Sequence, residues 1–112
     1  MHNKEFVNYI IELLSPYGNI RARAMFGGYG IYKGDAIVAI IVDGELYFKT
    51  DKTTANKYEA AGSCPFSYHG KKGLVQVSYW QVPEIVMEDT HTLGQWLEEA
   101  YKVSVSSKKL SP

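Results

Sequence analysis

The sequence predicts an α+β fold: one two-layer domain, an antiparallel β-sheet with helices packed on one face, in the order α-ββββ-α-ββ-αα. Three observations predict it. Apolar residues recur at helical spacing near both ends of the chain. Short β-prone runs separated by turn residues fill the middle. An Asp-Gly pair joins two of those runs, so neighbouring strands run antiparallel.

Residues 4–14 have the pattern of an amphipathic helix. Phe6, Ile10, Leu13 and Tyr17 repeat on one stripe, and Val7, Ile11 and Leu14 widen it. Asn3 is the expected N-cap, and the run Ser15-Pro16-Tyr17-Gly18 stops the helix. The period then changes to that of strands over residues 20–26, 30–33, 36–42 and 45–50. Asp43-Gly44 tolerates the positive φ of a type I′ turn and predicts a tight hairpin, while Lys33-Gly34-Asp35 predicts a second reversal. The run from Ala36 to Val42 is continuously apolar, the pattern of a central strand buried on both faces.

A short helix is expected over residues 53–61, with Asp51 near its start and Gly62 after its end. Residues 66–68 and 74–81 then form another hairpin, in which Val75, Val77 and Tyr79 face one way and Gln76, Ser78 and Trp80 the other. Pro83 opens a helical turn reaching about residue 88. Asp89 or Thr90 caps a last helix with Leu93, Trp96, Leu97, Ala100 and Tyr101 as its core stripe. The expected domain is residues 1–103, followed by a polar tail, 104–112, that frays.

A chain of 112 residues holds one core and buries roughly two-thirds of its unfolded surface. Its single cysteine, Cys64, excludes an intrachain disulfide and fits a reducing compartment. The N-terminal run lacks signal-peptide features and no apolar stretch is long enough to span a bilayer, so the expected location is the cytoplasm, with no membrane partner. Twelve Lys and Arg balance twelve Asp and Glu, against the basic excess of a protein that grips nucleic acid mainly through phosphates. The balance is uneven: Glu84, Glu88, Asp89, Glu98 and Glu99 form an acidic stretch, and the chain before them is mildly basic.

Family-level similarity begins at Arg21-Ala22-Arg23-Ala24-Met25-Phe26-Gly27-Gly28-Tyr29-Gly30-Ile31-Tyr32. It continues through Asp43-Gly44-Glu45-Leu46-Tyr47-Phe48-Lys49, residues 60–68 and residues 77–84. These four ordered segments resemble the N-terminal domain of the TfoX (Sxy) competence-regulator family. The resemblance implies a twisted antiparallel sheet with helices against it, similar to type III secretion chaperones. It also implies a regulatory role without catalysis, as a co-activator of gene expression working with a cyclic-AMP receptor-type transcription factor. Complete regulators of that family add a helical C-terminal domain, and this chain is expected to hold the first domain without it.

The residues themselves nominate contact surfaces and no reaction centre. Gly27, Gly28 and Gly30 lead into a strand where phosphate loops lead into a helix. Together with Met25, Phe26, Asp43 and Gly44 they read as fold-specifying motif residues. Arg21 and Arg23, the only arginines, share a strand face. They read either as a clamp for phosphate or carboxylate or as charges guarding an edge strand. Tyr29, Tyr32, Lys33, Tyr47, Lys49, Tyr79 and Trp80 interleave aromatic and basic residues, which suits stacked bases or a protein interface. Arg21, Arg23, Tyr47, Lys49 and Trp80 are the candidate partner- or nucleic-acid-binding residues. Zero net charge favours a protein partner, in the transcription machinery by resemblance, with DNA contact weak alone.

The histidines, His2, His69 and His91, have no metal-ligand spacing, Cys64 has no sequence partner, and no carboxylate pair suggests acid/base work. No metal, cofactor or catalytic residue is expected. The leading expectation is a non-enzymatic regulatory or binding module. A chaperone-like or adaptor homodimer is the second class, and a small enzyme or small-molecule binder with a site invisible in sequence is the third.

Overall fold

The computed structural model describes residues 4–25 and 27–110, with side chains through residue 107. The expected N-cap Asn3, the motif residue Phe26, His2 and the last two residues lie outside the described residues. Helix α1 (Lys4–Leu14) leads through a single 3-10 turn (Ser15–Tyr17) into strands β1 (Ile20–Met25), β2 (Gly28–Lys33), β3 (Ala36–Val42) and β4 (Glu45–Lys49). Helix α2 (Ala55–Ala60), strands β5 (Pro65–Gly70) and β6 (Gly73–Gln81), and helices α3 (Glu84–Met87) and α4 (Thr90–Leu110) complete the chain. All six strands form one antiparallel sheet in the order β1-β2-β3-β4-β6-β5. The α+β architecture and element order match the sequence reading.

Strand register explains why the sheet has two unlike faces. Residues paired across neighbouring strands share a face. The row Ala22–Ile31–Ala39–Phe48–Trp80 crosses five strands and lies under the helices. Ile31, Ala39 and Phe48 are fully buried there, and Ile41, Leu46 and Val38 extend the same layer. Ile10 and Leu14 of α1 and Leu93, Leu97 and Ala100 of α4 close over them. At the other end of the sheet Tyr58 of α2 fills the gap, its ring edge-on to Trp96 at 4.5 Å and 6.5 Å from Trp80. Burial pushes the Tyr58 hydroxyl well above its ordinary range, and the Glu99 carboxylate adds to this.

The turns follow their residue chemistry. Asp43 and Gly44 have φ of 52° and 75°, and Val42 pairs with Glu45, giving the expected two-residue hairpin. Helix α2 ends in a Schellman arrangement. The Ser63 N–H donates to the Tyr58 carbonyl and the Gly62 N–H to the Glu59 carbonyl, with Gly62 at φ 82°. Asp51 accepts from the N–H groups of Thr53 and Thr54 ahead of that helix. Asp89 proves to be the cap of α4: its carboxylate accepts from the Thr92 N–H and the Thr92 hydroxyl.

Three expectations need correction. Strand β3 is central but covered on one side only: Ala36, Val38, Ala39 and Ile41 are buried, whereas Ile37, Ile40 and Val42 are partly exposed. A bulge between its pairings with Ile31 and Tyr32 turns Val38 and Ala39 into the same layer, which is why the apolar run does not alternate. Strand β2 starts at Gly28, two residues earlier than expected, because Gly28 pairs with Met25. And α4 continues to Leu110 where a polar tail is expected from Ser104. Val103 and Ser104 are buried, and Ser104 shares a cleft with Ala36, Ile37 and Lys49, so tertiary packing carries the helix through a Val/Ser run of modest propensity.

A contact the sequence reading did not include joins the start of α4 to the turn after α1. The Tyr17 hydroxyl donates to the Thr90 carbonyl at 2.6 Å, and its ring packs against Gly94. A Cβ at Gly94 would sit 2.5 Å from Tyr17 Cε1. Gly94→Ala is therefore expected to cost a net ~1–2 kcal/mol in urea unfolding, overpacking outweighing the helix-propensity gain. In a Tyr17→Ala background the same change is expected to stabilise by up to ~1 kcal/mol, since only propensity remains.

The Asp89 cap carries a pH signature. Its hydrogen bonds from Thr92 hold the carboxyl below its ordinary value of 3.8. The stabilisation is therefore complete above that value and is lost as pH falls through the lower folded-state pKa. Asp89→Ala is expected to lower the melting temperature at neutral pH, and the gap from the native chain should close in scans taken below that ordinary value.

Candidate contact face

The face of the sheet away from the helices is built from the alternate residues of the same strands. Arg21 pairs with Tyr32, Tyr32 with Ile37, Ile40 with Tyr47, and Lys49 with Tyr79, so all of these project to the open side. Arg23, opposite Gly30, joins them. On the last two strands Tyr68 pairs with Val75, in phase with Val77 and Tyr79.

Its side chains fall into two adjoining zones. In the cationic zone the Arg21 guanidinium lies 5.4 Å from the Tyr32 ring centre, and the Lys49 ammonium lies 5.0 Å from that of Tyr79. Arg21 also reaches Asp35 at 3.6 Å, an exposed pair that adds little to stability. Burial lowers the pKa of Lys49. Burial raises that of Tyr79, and nearby Tyr32 raises it further. Beside Lys49 a cleft of about 380 Å³ opens between Tyr32, Asp35, Ile37 and Ser104.

The aromatic zone begins next to it, two residues back along β4. Tyr47 meets Phe66 edge-on at 5.1 Å, and Phe66 lies 6.3 Å from Tyr68, which is 49% exposed. Burial raises the Tyr47 pKa, with smaller contributions from Cys64, Glu45 and Asp43. Cys64 is exposed, with its thiol 3.7 Å from the Gln81 side-chain oxygen.

Of the residues nominated from sequence, the structure brings Arg21, Arg23, Tyr47 and Lys49 onto this one face. Trp80 goes to the opposite side, against Phe48 and Tyr58. Lys33 and Tyr29 also leave the group: Lys33 donates to Glu98 of α4 at 3.0 Å and sits 4.5 Å from the Tyr101 ring centre, and Tyr29 packs on the core. Phe66 and Tyr68 were not nominated. Their signal was the two-residue spacing in a strand whose partner carries Val75 and Val77 in phase.

The motif glycines have structural roles. Gly27 sits at φ 81° in the turn between β1 and β2, and a Cβ on Gly28 would lie 2.3 Å from the Ile41 carbonyl oxygen. A side chain there would push β2 off β3. A strand follows these glycines, so no helix N-terminus is offered to an anion. Among the described residues no group of three or more His, Cys, Asp or Glu is placed to hold a metal, and no helix is long and apolar enough to cross a membrane.

Comparison with known proteins gives the chain a family. The chain is 28% identical over 101 residues to the DNA transformation protein TfoX1 of Aliivibrio fischeri (strain ATCC 700601 / ES114), an alignment covering 90% of this chain. The chain spans 46% of that relative's length. The family model of the TfoX N-terminal domain matches residues 12–104, from the last turn of α1 to the buried Ser104 of α4. This chain therefore belongs to the TfoX N-terminal domain family.

Proposed function

We propose that this chain is a non-enzymatic regulatory module that acts by binding a protein of the transcription machinery through the open face of its sheet. The observation that carries the reading is the composition of that face. Four of the five residues nominated from sequence converge there with four further aromatics, Tyr32, Phe66, Tyr68 and Tyr79. Aromatic and arginine side chains are the ones that anchor protein interfaces, because they bury large area with few rotamers to freeze. Family membership supports a role related to competence, as does the name of the relative, a DNA transformation protein. The mechanism is recruitment: the helices hold the sheet rigid, and the face presents its anchors without rearrangement.

Catalysis has less in its favour. Arg21 and Lys49 lie over rings and Glu45 is engaged by Gln81, and among the described residues of the face no acid, base and nucleophile converge on one point.

The test is genetic, in the chain's own host. Deleting the gene is expected to change transcript levels and lower natural transformation. The native chain should restore both, and the doubly reversed Arg21→Glu/Arg23→Glu chain should restore neither while accumulating to the same level. Equal rescue by the two would remove the open face from the reading, and an unchanged transcript profile on deletion would remove the regulatory role.

A further inference from the structure

We infer that the segment received by the open face is acidic: an extended stretch of a partner protein whose carboxylates seat on the cationic zone and whose apolar side chains seat on the aromatic zone. This rests on the reading that the open face is the contact surface, and adds the chemistry of what it contacts.

Charge complementarity carries it. The chain as a whole is neutral. On the open face Arg21, Arg23 and Lys49 stand with two carboxylates that are already engaged: Glu45 accepts from the Gln81 side-chain amide, and Asp35, in the turn after β2, pairs with Arg21. Further acidic residues lie behind, with Glu84 on α3 and Glu98 and Glu99 on α4, and two of these already accept from Lys33 and Lys57. Among the described residues no carboxylate pairs with Lys49 or Arg23. Lys49 is thus a partly desolvated ammonium 5.0 Å from a ring centre; the one carboxylate lining its cleft, Asp35, is paired with Arg21, and a partner's carboxylate brought to Lys49 would recover part of its desolvation cost.

The geometry suits an extended peptide. Five interstrand gaps of ~4.8 Å make the sheet ~24 Å wide, so about seven or eight residues at ~3.3 Å each cross it. Alternation in such a segment would place every second side chain on the face. The Tyr47, Phe66 and Tyr68 rings and the flanking Val75 and Val77 offer apolar contact, and the 49% exposure of Tyr68 leaves area to bury.

The same features disfavour nucleic acid. Stacked bases need open ring faces, and the Tyr32 and Tyr79 rings are already covered by Arg21 and Lys49.

The test titrates isotope-labelled full chain with three fluorescent peptides of about ten residues. Each alternates Leu or Phe with one polar residue, which is Glu, Gln or Lys. A thymidine oligonucleotide of similar reach is the fourth probe. The Glu peptide is expected to shift amide resonances at residues 21–23, 32, 47–49, 66–68 and 79. It should bind roughly tenfold or more tightly than the Gln peptide, and the Lys peptide should not bind. Affinity should fall several-fold between about 50 and about 300 mM salt. Arg23→Glu, exposed and remote from the core, and Lys49→Met, which keeps an unbranched side chain of similar length without the charge, should each weaken the Glu peptide with unchanged circular dichroism. Equal binding of Glu and Gln peptides, or preference for the oligonucleotide at these residues, would overturn the acidic assignment. The genetic test above would then still decide separately whether the face is used at all.

Discussion

Everything in this molecule depends on one row of side chains that must be kept from water. Ala22, Ile31, Ala39, Phe48 and Trp80 cross five strands in register, and their apolar area is covered by α1, α2 and α4. Register locks the row in place, because a slip of one residue in any strand would turn its buried set outward and bring charge into the core. The bulge in β3 is part of the same constraint. It lets two adjacent residues, Val38 and Ala39, both face the helices, so a strand of seven residues contributes four buried ones. Glycine at position 28 belongs here as well, since only its missing side chain permits β2 to approach the Ile41 carbonyl.

Locking one face determines the other. Once the covered row is set, Arg21, Arg23, Tyr32, Tyr47, Lys49 and Tyr79 have no alternative but the open side. There the side chains order one another. The charged heads of Arg21 and Lys49 sit over the Tyr32 and Tyr79 rings, which fixes where those charges lie. The open-face residues Tyr32, opposite Ile37, and Tyr47, opposite Ile40, also shield the outer face of β3, which explains why Ile37 and Ile40 are only partly exposed without a second helical layer.

Contacts between the helices and sheet edges hold the layers in a single arrangement. Lys33 reaches from β2 to Glu98, Lys57 from α2 to Glu99 and the Trp96 ring, and Tyr17 from the turn after α1 to Thr90. Each joins segments far apart in sequence and spends charge or hydrogen-bonding capacity on the helix side. On the open face, Arg23 and Lys49 take no part in these ties.

Much of the architecture was legible because its causes are local. Asp43-Gly44 specifies its turn by backbone preference, Asp51 and Asp89 announce helix starts, Gly62 a helix end, and the stripes on α1 and α4 need only the helical period. The open face was half legible: two-residue spacing puts Arg21 with Arg23 and Tyr47 with Lys49, but it cannot say which side of the sheet either pair takes. That assignment, the departure of Trp80 and Lys33 to the helices, the bulge at Val38 and the contact of Tyr17 with Gly94 all arise between residues distant in the chain. The amino-acid sequence by itself determined the fold class, the turns, the caps and the kinds of side chain available for contact. The tertiary structure alone decided which of them share a surface, because a strand's alternation has two faces and only packing against a second layer chooses between them.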